Sequence, residues 1–285
     1  MREVRASRRD CFRPRRGQHF LKDASSVRRI LDALGAGAPV VEIGPGRGAL
    51  TLPLLRRGDR VVAFEIDAAL AEALRVAAGG LPLTVVTGDA LEADVAAALA
   101  QAGATPPVPL VGNLPYESAT PMLRAFVRRP DLFSRLVVMI QKEVADRLVA
   151  RPRTPAYGFL TLDIGAHAAA RRLFDVPPRA FAPPPKVVST VVELVPHAAS
   201  LGSEAALAVA SAGFGQRRKT LANALAARWG RAAVVEALDA LGLLPTARAE
   251  ELPLTRFFEL ATRLGPPVFG AREGSIALFP PATIP

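Results

Sequence analysis

The sequence predicts an α/β protein: a largely parallel sheet with helices on its faces, followed by a smaller all-helical domain. Three observations carry this. Short apolar strands alternate with helical segments from about Ser25 to Val149. A glycine-rich turn, Gly44-Pro45-Gly46-Arg47-Gly48, follows the first of the core strands. Beyond Pro196–Gly202 the strand pattern stops, and helical periodicity runs from Ser203 to Leu264 in four segments.

Taken in order, Ser25–Leu34 has the spacing of a helix and leads into the strand Val40-Val41-Glu42-Ile43. The glycine-rich turn comes next, with a helix from about Ala49; glycines there let a ligand approach the backbone closely. A second strand, Arg60–Phe64, ends in Glu65, about twenty residues after Gly44, the spacing at which an acid holds the hydroxyls of a ribose. A nucleoside cofactor is implied, although Gly44-x-Gly46-x-x-Ala49 also satisfies a dinucleotide fingerprint. After a helix over Ala68–Ala78, a third strand, Leu83–Val86, runs into Thr87-Gly88-Asp89-Ala90, which places an acid where it would accept from an adenine amine. Val95–Ala102 reads as a short helix. The fourth strand, Pro109–Val111, ends in Gly112-Asn113-Leu114-Pro115-Tyr116, and the fifth, Leu136–Ile140, precedes a helix from Lys142 to about Val149. Phe159–Gly165 and Lys186–Val195 are expected to pair antiparallel and close the sheet.

The turn after the fourth strand suits a planar exocyclic amine. Asn113 offers an amide oxygen. Leu114 is held extended by the proline after it and can turn its carbonyl the same way. Tyr116 supplies a ring on which a base would stack. Adenine N6 is a poor nucleophile because its lone pair is delocalised, so two acceptors drawing its hydrogens out of plane would favour attack by positioning and electrostatics.

With these residues in hand, the chain resembles the rRNA adenine N6-methyltransferases, most closely the small-subunit (16S) rRNA adenine dimethyltransferases, over about residues 17–265. The likeness runs through Gly17-Gln18-His19-Phe20-Leu21, the Glu42–Gly48 loop, Glu65, Asp89, the Asn113 turn and Gln141-Lys142-Glu143. It continues in Ala180-Phe181-Ala182-Pro183-Pro184-Pro185-Lys186-Val187 and Arg217-Arg218-Lys219-Thr220-Leu221. His19 stands where Asn is frequent, and Glu117-Ser118-Ala119 departs from the commoner Asn-Ile-Ser. The resemblance implies a Rossmann-like class I S-adenosylmethionine-dependent methyltransferase sheet with a smaller C-terminal all-α domain. It implies a basic arm over 1–16, a catalytic domain over 17–198, a helical RNA-binding domain over 199–265 and a tail over 266–285. S-adenosyl-L-methionine, leaving as S-adenosyl-L-homocysteine, would be held by Gln18, His19, Leu21, Gly44, Gly46, Glu65, Ile66, Asp89, Ala90 and Asn113. Asn113, Leu114, Pro115 and Tyr116 would serve catalysis. Phe181, in a proline-fixed loop, would stack on the target base opposite Tyr116, the alternative being a ring that packs the loop onto the core. Lys186, Arg217, Arg218 and Lys219 would contact RNA backbone. The implied reaction is dimethylation of N6 on two adjacent adenosines near the 3′ end of 16S rRNA, within an assembling small subunit, by a cytoplasmic monomer. Two other readings share the motifs: a large-subunit (23S) enzyme conferring macrolide-type resistance, and a non-catalytic nucleic-acid-binding relative, against which Glu65, Asp89 and Asn113 argue.

Composition points the same way. The chain has 285 residues, half of them apolar, with a net charge of +10. Of 36 basic residues only four are lysine, and arginine forks suit phosphate. A polyanionic partner is favoured over an anionic membrane surface, since no basic amphipathic helix is evident. The single cysteine, Cys11, excludes an internal disulfide and a cysteine-rich zinc cluster, and no metal is expected. No run of about eighteen apolar residues is present. Met1–Arg16 carries seven arginines and reads as a solvated tail, an RNA-contacting arm or an organelle transit peptide. His167 and His197 show no ligand pattern and are taken as structural or exposed.

Overall fold

A computed structural model of the chain describes residues 18–37, 39–216 and 218–267. The basic arm, Cys11, Arg217 and the tail beyond residue 267 lie outside the described residues. The elements in chain order are β1 (Phe20–Leu21), α1 (Ala24–Leu34), β2 (Val40–Ile43), α2 (Thr51–Arg56), β3 (Val61–Glu65), α3 (Ala68–Ala78), β4 (Leu83–Thr87), α4 (Val95–Gln101), β5 (Val108–Asn113), α5 (Ala119–Val127), β6 (Phe133–Gln141), α6 (Lys142–Leu148), α7 (Phe159–Gly165), β7 (Ala168–Val176), β8 (Phe181–Ala182), β9 (Ser189–Pro196), α8 (Ser203–Phe214), α9 (Leu221–Trp229), α10 (Arg231–Ala240) and α11 (Leu254–Leu264).

The chain divides into two compact units. The first holds the residues up to Val149 together with His167–Ala198; the second holds Ala150–Ala166 and the residues from Ala199 on. The stretch 17–198 is therefore not one continuous body, because Ala150–Ala166 groups with the helices.

In the first unit seven strands form one sheet in the order β4-β3-β2-β5-β6-β9-β7. The neighbours from β4 to β6 run parallel, while β9 is antiparallel to both β6 and β7. The central strands are apolar on both faces because helices cover both: Val41, Val62, Leu110, Val111, Val137 and Val138 are fully buried. Helix starts are fixed by short acids. Asp23, Asp67 and Asp94 each accept backbone N–H bonds at the N-termini of α1, α3 and α4. The strand order reverses between β2 and β5, which are neighbours in space but separated by two strand–helix units in sequence. Helices leave in opposite directions there, opening a crevice at the carboxyl ends of the strands.

Several elements depart from the sequence reading. Phe159–Gly165, expected as a sheet strand, is helix α7 and lies in the second unit. Its apolar residues alternate over too short a run to separate strand from helix, and the Gly158 N–H donates to Thr161 Oγ1 at 3.3 Å to start the turn. The strand that closes the sheet is instead β7, whose Ala-Ala-Ala-Arg-Arg opening carries little β propensity. Helix α5 was not foreseen; its Pro121 falls in the first turn, where no N–H is required. A separate two-stranded ribbon joins β1 to β8, with Phe20 opposite Ala182 and Leu21 opposite Phe181.

The second unit contains the four helices expected after Ser203, α8 to α11, with α7 added. Leu207, Leu225, Trp229, Leu238, Phe257 and Leu260 form its core. The Tyr157 hydroxyl donates to the Leu252 carbonyl at 2.7 Å, and burial pushes that phenol up to about 12.

Candidate active site

At the switch point the carboxyl ends of β2 and β5 meet closely. A Cβ on Gly112 would lie 2.7 Å from the Ile43 carbonyl oxygen, so only glycine lets the two strands end side by side. This brings the glycine-rich turn after β2 against Asn113 at the end of β5. Within that turn Gly46 adopts φ 54°, a left-handed conformation natural to glycine. Its N–H donates to Glu65 Oε2 at 2.9 Å, and the Asp67 N–H donates to Oε1 at 3.0 Å. Buried Glu65 thus ties the loop to the end of β3, and a carboxylate with about four acceptor positions keeps capacity for a vicinal diol.

Asp89 ends the turn after β4, where its Oδ1 accepts the Leu91 N–H at 2.9 Å and its second oxygen remains for a ligand. Ile66, 65 % exposed despite being apolar, offers a face beside it for a planar ring. Glu42 is buried at the end of β2 and accepts the Thr51 hydroxyl at 2.6 Å. Burial pushes its carboxyl up to about 7; the Thr51 bond opposes this, and the negative charge of Glu65 adds to it.

The Asn113 turn is held from three sides. Asn113 Nδ2 donates to the His19 carbonyl at 2.9 Å, which leaves the amide oxygen as the outward acceptor. The Leu114 N–H donates to the Met139 carbonyl at 3.1 Å and fixes that peptide against β6. The Tyr116 hydroxyl lies 3.0 Å from the Ser189 hydroxyl, at the start of β9. The His19 ring stands 5.7 Å from the Tyr116 ring at a tilt of 33°, and its Nδ1–H donates to the Pro183 carbonyl at 2.9 Å.

Every residue that the sequence assigns to the cofactor, from Gln18 to Asn113, lines this one cleft, as do Leu114, Pro115 and Tyr116. Phe181 does not, and its assignment to base stacking is corrected. It is 1 % exposed and packs in the core with Leu21, Val176 and Val191, because pairing of β8 with β1 turns Phe181 inward and Ala182 outward. Lys186 is exposed in the first unit, and Arg218 and Lys219 are exposed in the turn before α9 rather than within it. Sequence reasoning passed over Phe20, Arg47, Ser118 and Met122, which also line the cleft. Phe20 and Arg47 stood inside quoted motifs, but their place depends on the β1/β8 ribbon, which no local pattern announces. Among the described residues no group of His, Cys, Asp or Glu gathers as metal ligands would.

The family described as ribosomal RNA adenine dimethylase matches residues 9–265. The chain belongs to that family. As a ribosomal RNA adenine dimethylase it has relatives of similar length, each called ribosomal RNA small subunit methyltransferase A. The relative from Phenylobacterium zucineum is 46 % identical over 251 residues, covering 86 % of this chain and 85 % of that protein. The relative from Bordetella petrii is 44 % identical over 258 residues, covering 88 % and 95 %. Among solved structures, a dimethyladenosine transferase from Plasmodium falciparum shares the fold, with a TM-score of 0.73 at 23 % identity over 88 % of this chain and all of that one. The 23S rRNA methyltransferase ErmE superposes with a TM-score of 0.65 at 27 % identity, covering 86 % and 99 %.

Proposed function

We propose that this ribosomal RNA adenine dimethylase uses S-adenosylmethionine to dimethylate N6 of two adjacent adenosines near the 3′ end of small-subunit rRNA. It acts as a cytoplasmic monomer on the assembling subunit. The observation that carries this is the amide of Asn113: with Nδ2 tied to the His19 carbonyl, Oδ1 faces the cleft as an acceptor. The residues present fit the cofactor. Glu65 suits the ribose hydroxyls, Asp89 and Ile66 the adenine, and buried Glu42 a cation.

Bound there, S-adenosylmethionine supplies an electrophilic methyl group on a positively charged sulfur. The protein's own task is to bring the target amine to it. The adenosine leaves its stack to enter the cleft, and Tyr116, anchored through Ser189, offers a ring beneath the base. Asn113 Oδ1 and the Leu114 carbonyl accept the two N6 hydrogens and turn the lone pair toward the methyl carbon. The cofactor's sulfur would take up the C–S electrons as N6 gains the methyl group, and the proton that N6 sheds would go to water. The tertiary product amine follows from a second round on the same nitrogen. Lys186, Arg218 and Lys219 hold rRNA phosphates outside the cleft.

The test is methyl transfer to unmethylated small and large ribosomal subunits in parallel, with mass spectrometry of the digested rRNA. Dimethyladenosine in the small subunit alone is expected; label in large-subunit rRNA would overturn the substrate assignment. Asn113→Ala should lower kcat by about a hundredfold or more while leaving the Kd for S-adenosylmethionine within a few-fold. Equal loss of both would overturn the role given to its amide.

A further inference from the structure

The cleft is lined by three carboxylates, Glu42, Glu65 and Asp89, and among its described residues by one lysine or arginine, Arg47. Arg47 has no carboxylate partner among the described residues. Its guanidinium instead lies over the Phe20 ring, 4.7 Å from the centroid. Phe20 is itself seated on the glycine-rich turn, so closely that a Cβ on Gly46 would come within 3.0 Å of the ring. The cation is thereby stationed where the segment Gln18–Leu21 faces the turn after β2.

That wall is the part of the cleft left over once the rest of the ligand has been placed. With the ribose at Glu65, the adenine at Asp89 and Ile66, and the reacting methyl at Asn113, the wall formed by Phe20 and Arg47 is what remains for the methionyl tail. S-adenosylmethionine carries two positive groups, the sulfonium and the ammonium, and one negative group, the carboxylate. The three acids repel that carboxylate, and a planar guanidinium fork is the side chain best matched to receive it. We propose that Arg47, held over Phe20, binds the methionyl carboxylate of the cofactor and so makes the site selective for ligands with an intact amino-acid end. The assignment rests on the cofactor reading above.

The experiment measures, by calorimetry on the full chain without RNA, the Kd of S-adenosylmethionine, S-adenosylhomocysteine and decarboxylated S-adenosylmethionine for the wild type, Arg47→Ala and Arg47→Lys. Arg47 is exposed, so the variants should keep the fold, which circular dichroism checks. Arg47→Ala should weaken both carboxylate-bearing ligands roughly tenfold, the scale of one charge-assisted contact. The decarboxylated compound should bind wild type and variant alike, and Arg47→Lys should recover part of the loss. Unchanged binding of S-adenosylmethionine to Arg47→Ala, or equal weakening of all three ligands, would overturn the assignment alone. A wild type that binds none of them would overturn the cofactor reading as well.

Discussion

Glu42 is the side chain whose surroundings most alter its chemistry. Its carboxyl titrates near 7 in the folded protein because burial disfavours the charged form. In the unfolded chain it titrates near the ordinary value of about 4.3. Between these values the folded state holds the proton more tightly, so this group's contribution to stability is full at low pH and is lost as pH rises toward 7. The loss is on the order of 3 kcal/mol. Urea unfolding at pH 5 and pH 8 should show that decrease in the wild type and a smaller one in Glu42→Gln; identical pH dependence in both would rule Glu42 out as its source. At this scale the site was largely legible in the sequence. Glu65 and Asn113 each end a strand and Asp89 closes the turn just after one, and their spacing along the chain is set by strand and helix lengths. Phe181 was not legible, because whether a ring faces a ligand or the core depends on strand pairing, and its partner residue Leu21 is remote in sequence.

Elements rather than single residues set the precision of the cleft. β2 and β5 end side by side because Gly112 presents no side chain to the Ile43 carbonyl. Gly112→Ala should force these strand ends apart, costing about 1–3 kcal/mol of stability as an overpacked core position. Because Asn113 is the next residue, kcat should fall more than the loss of folded protein explains. Thermal unfolding together with kcat per folded molecule checks this; a stability loss with unchanged kcat would show that the strand ends relax without moving Asn113. The parallel strands β2 to β6 were legible from apolar runs bounded by turns. The closing strand was not, since Ala168–Arg172 lacks β-formers while Phe159–Gly165 alternates like a strand and folds as a helix. The ribbon of β1 and β8 is two residues on each side and leaves no periodic trace.

On the scale of the molecule, the net charge of +10 makes RNA association a matter of counterion release. Affinity for rRNA should fall steeply with salt, and Lys186→Ala and Lys219→Ala should each reduce the slope of log K against log salt by about 1. Filter binding across a salt series measures this, and unchanged slopes would remove those residues from the RNA contact. Binding of S-adenosylmethionine should show no comparable dependence. Domain organisation was legible in part: the change to helical periodicity after Pro196–Gly202 is clear in the sequence, whereas the assignment of Ala150–Ala166 to the helical unit depends on contacts remote along the chain.

The β1/β8 ribbon also sets a schedule. His19 and Pro183, which bond across its end, stand 164 residues apart. At roughly 5–20 residues per second, a ribosome adds the second partner about ten to thirty seconds after the first. Throughout that interval the growing chain carries the glycine-rich turn, and in time Asn113 as well, without the wall that closes over them. Every residue lining the cleft lies between Gln18 and Met122, so His19 and Phe20 gain their partner strand only after the rest of the cleft is already in the chain.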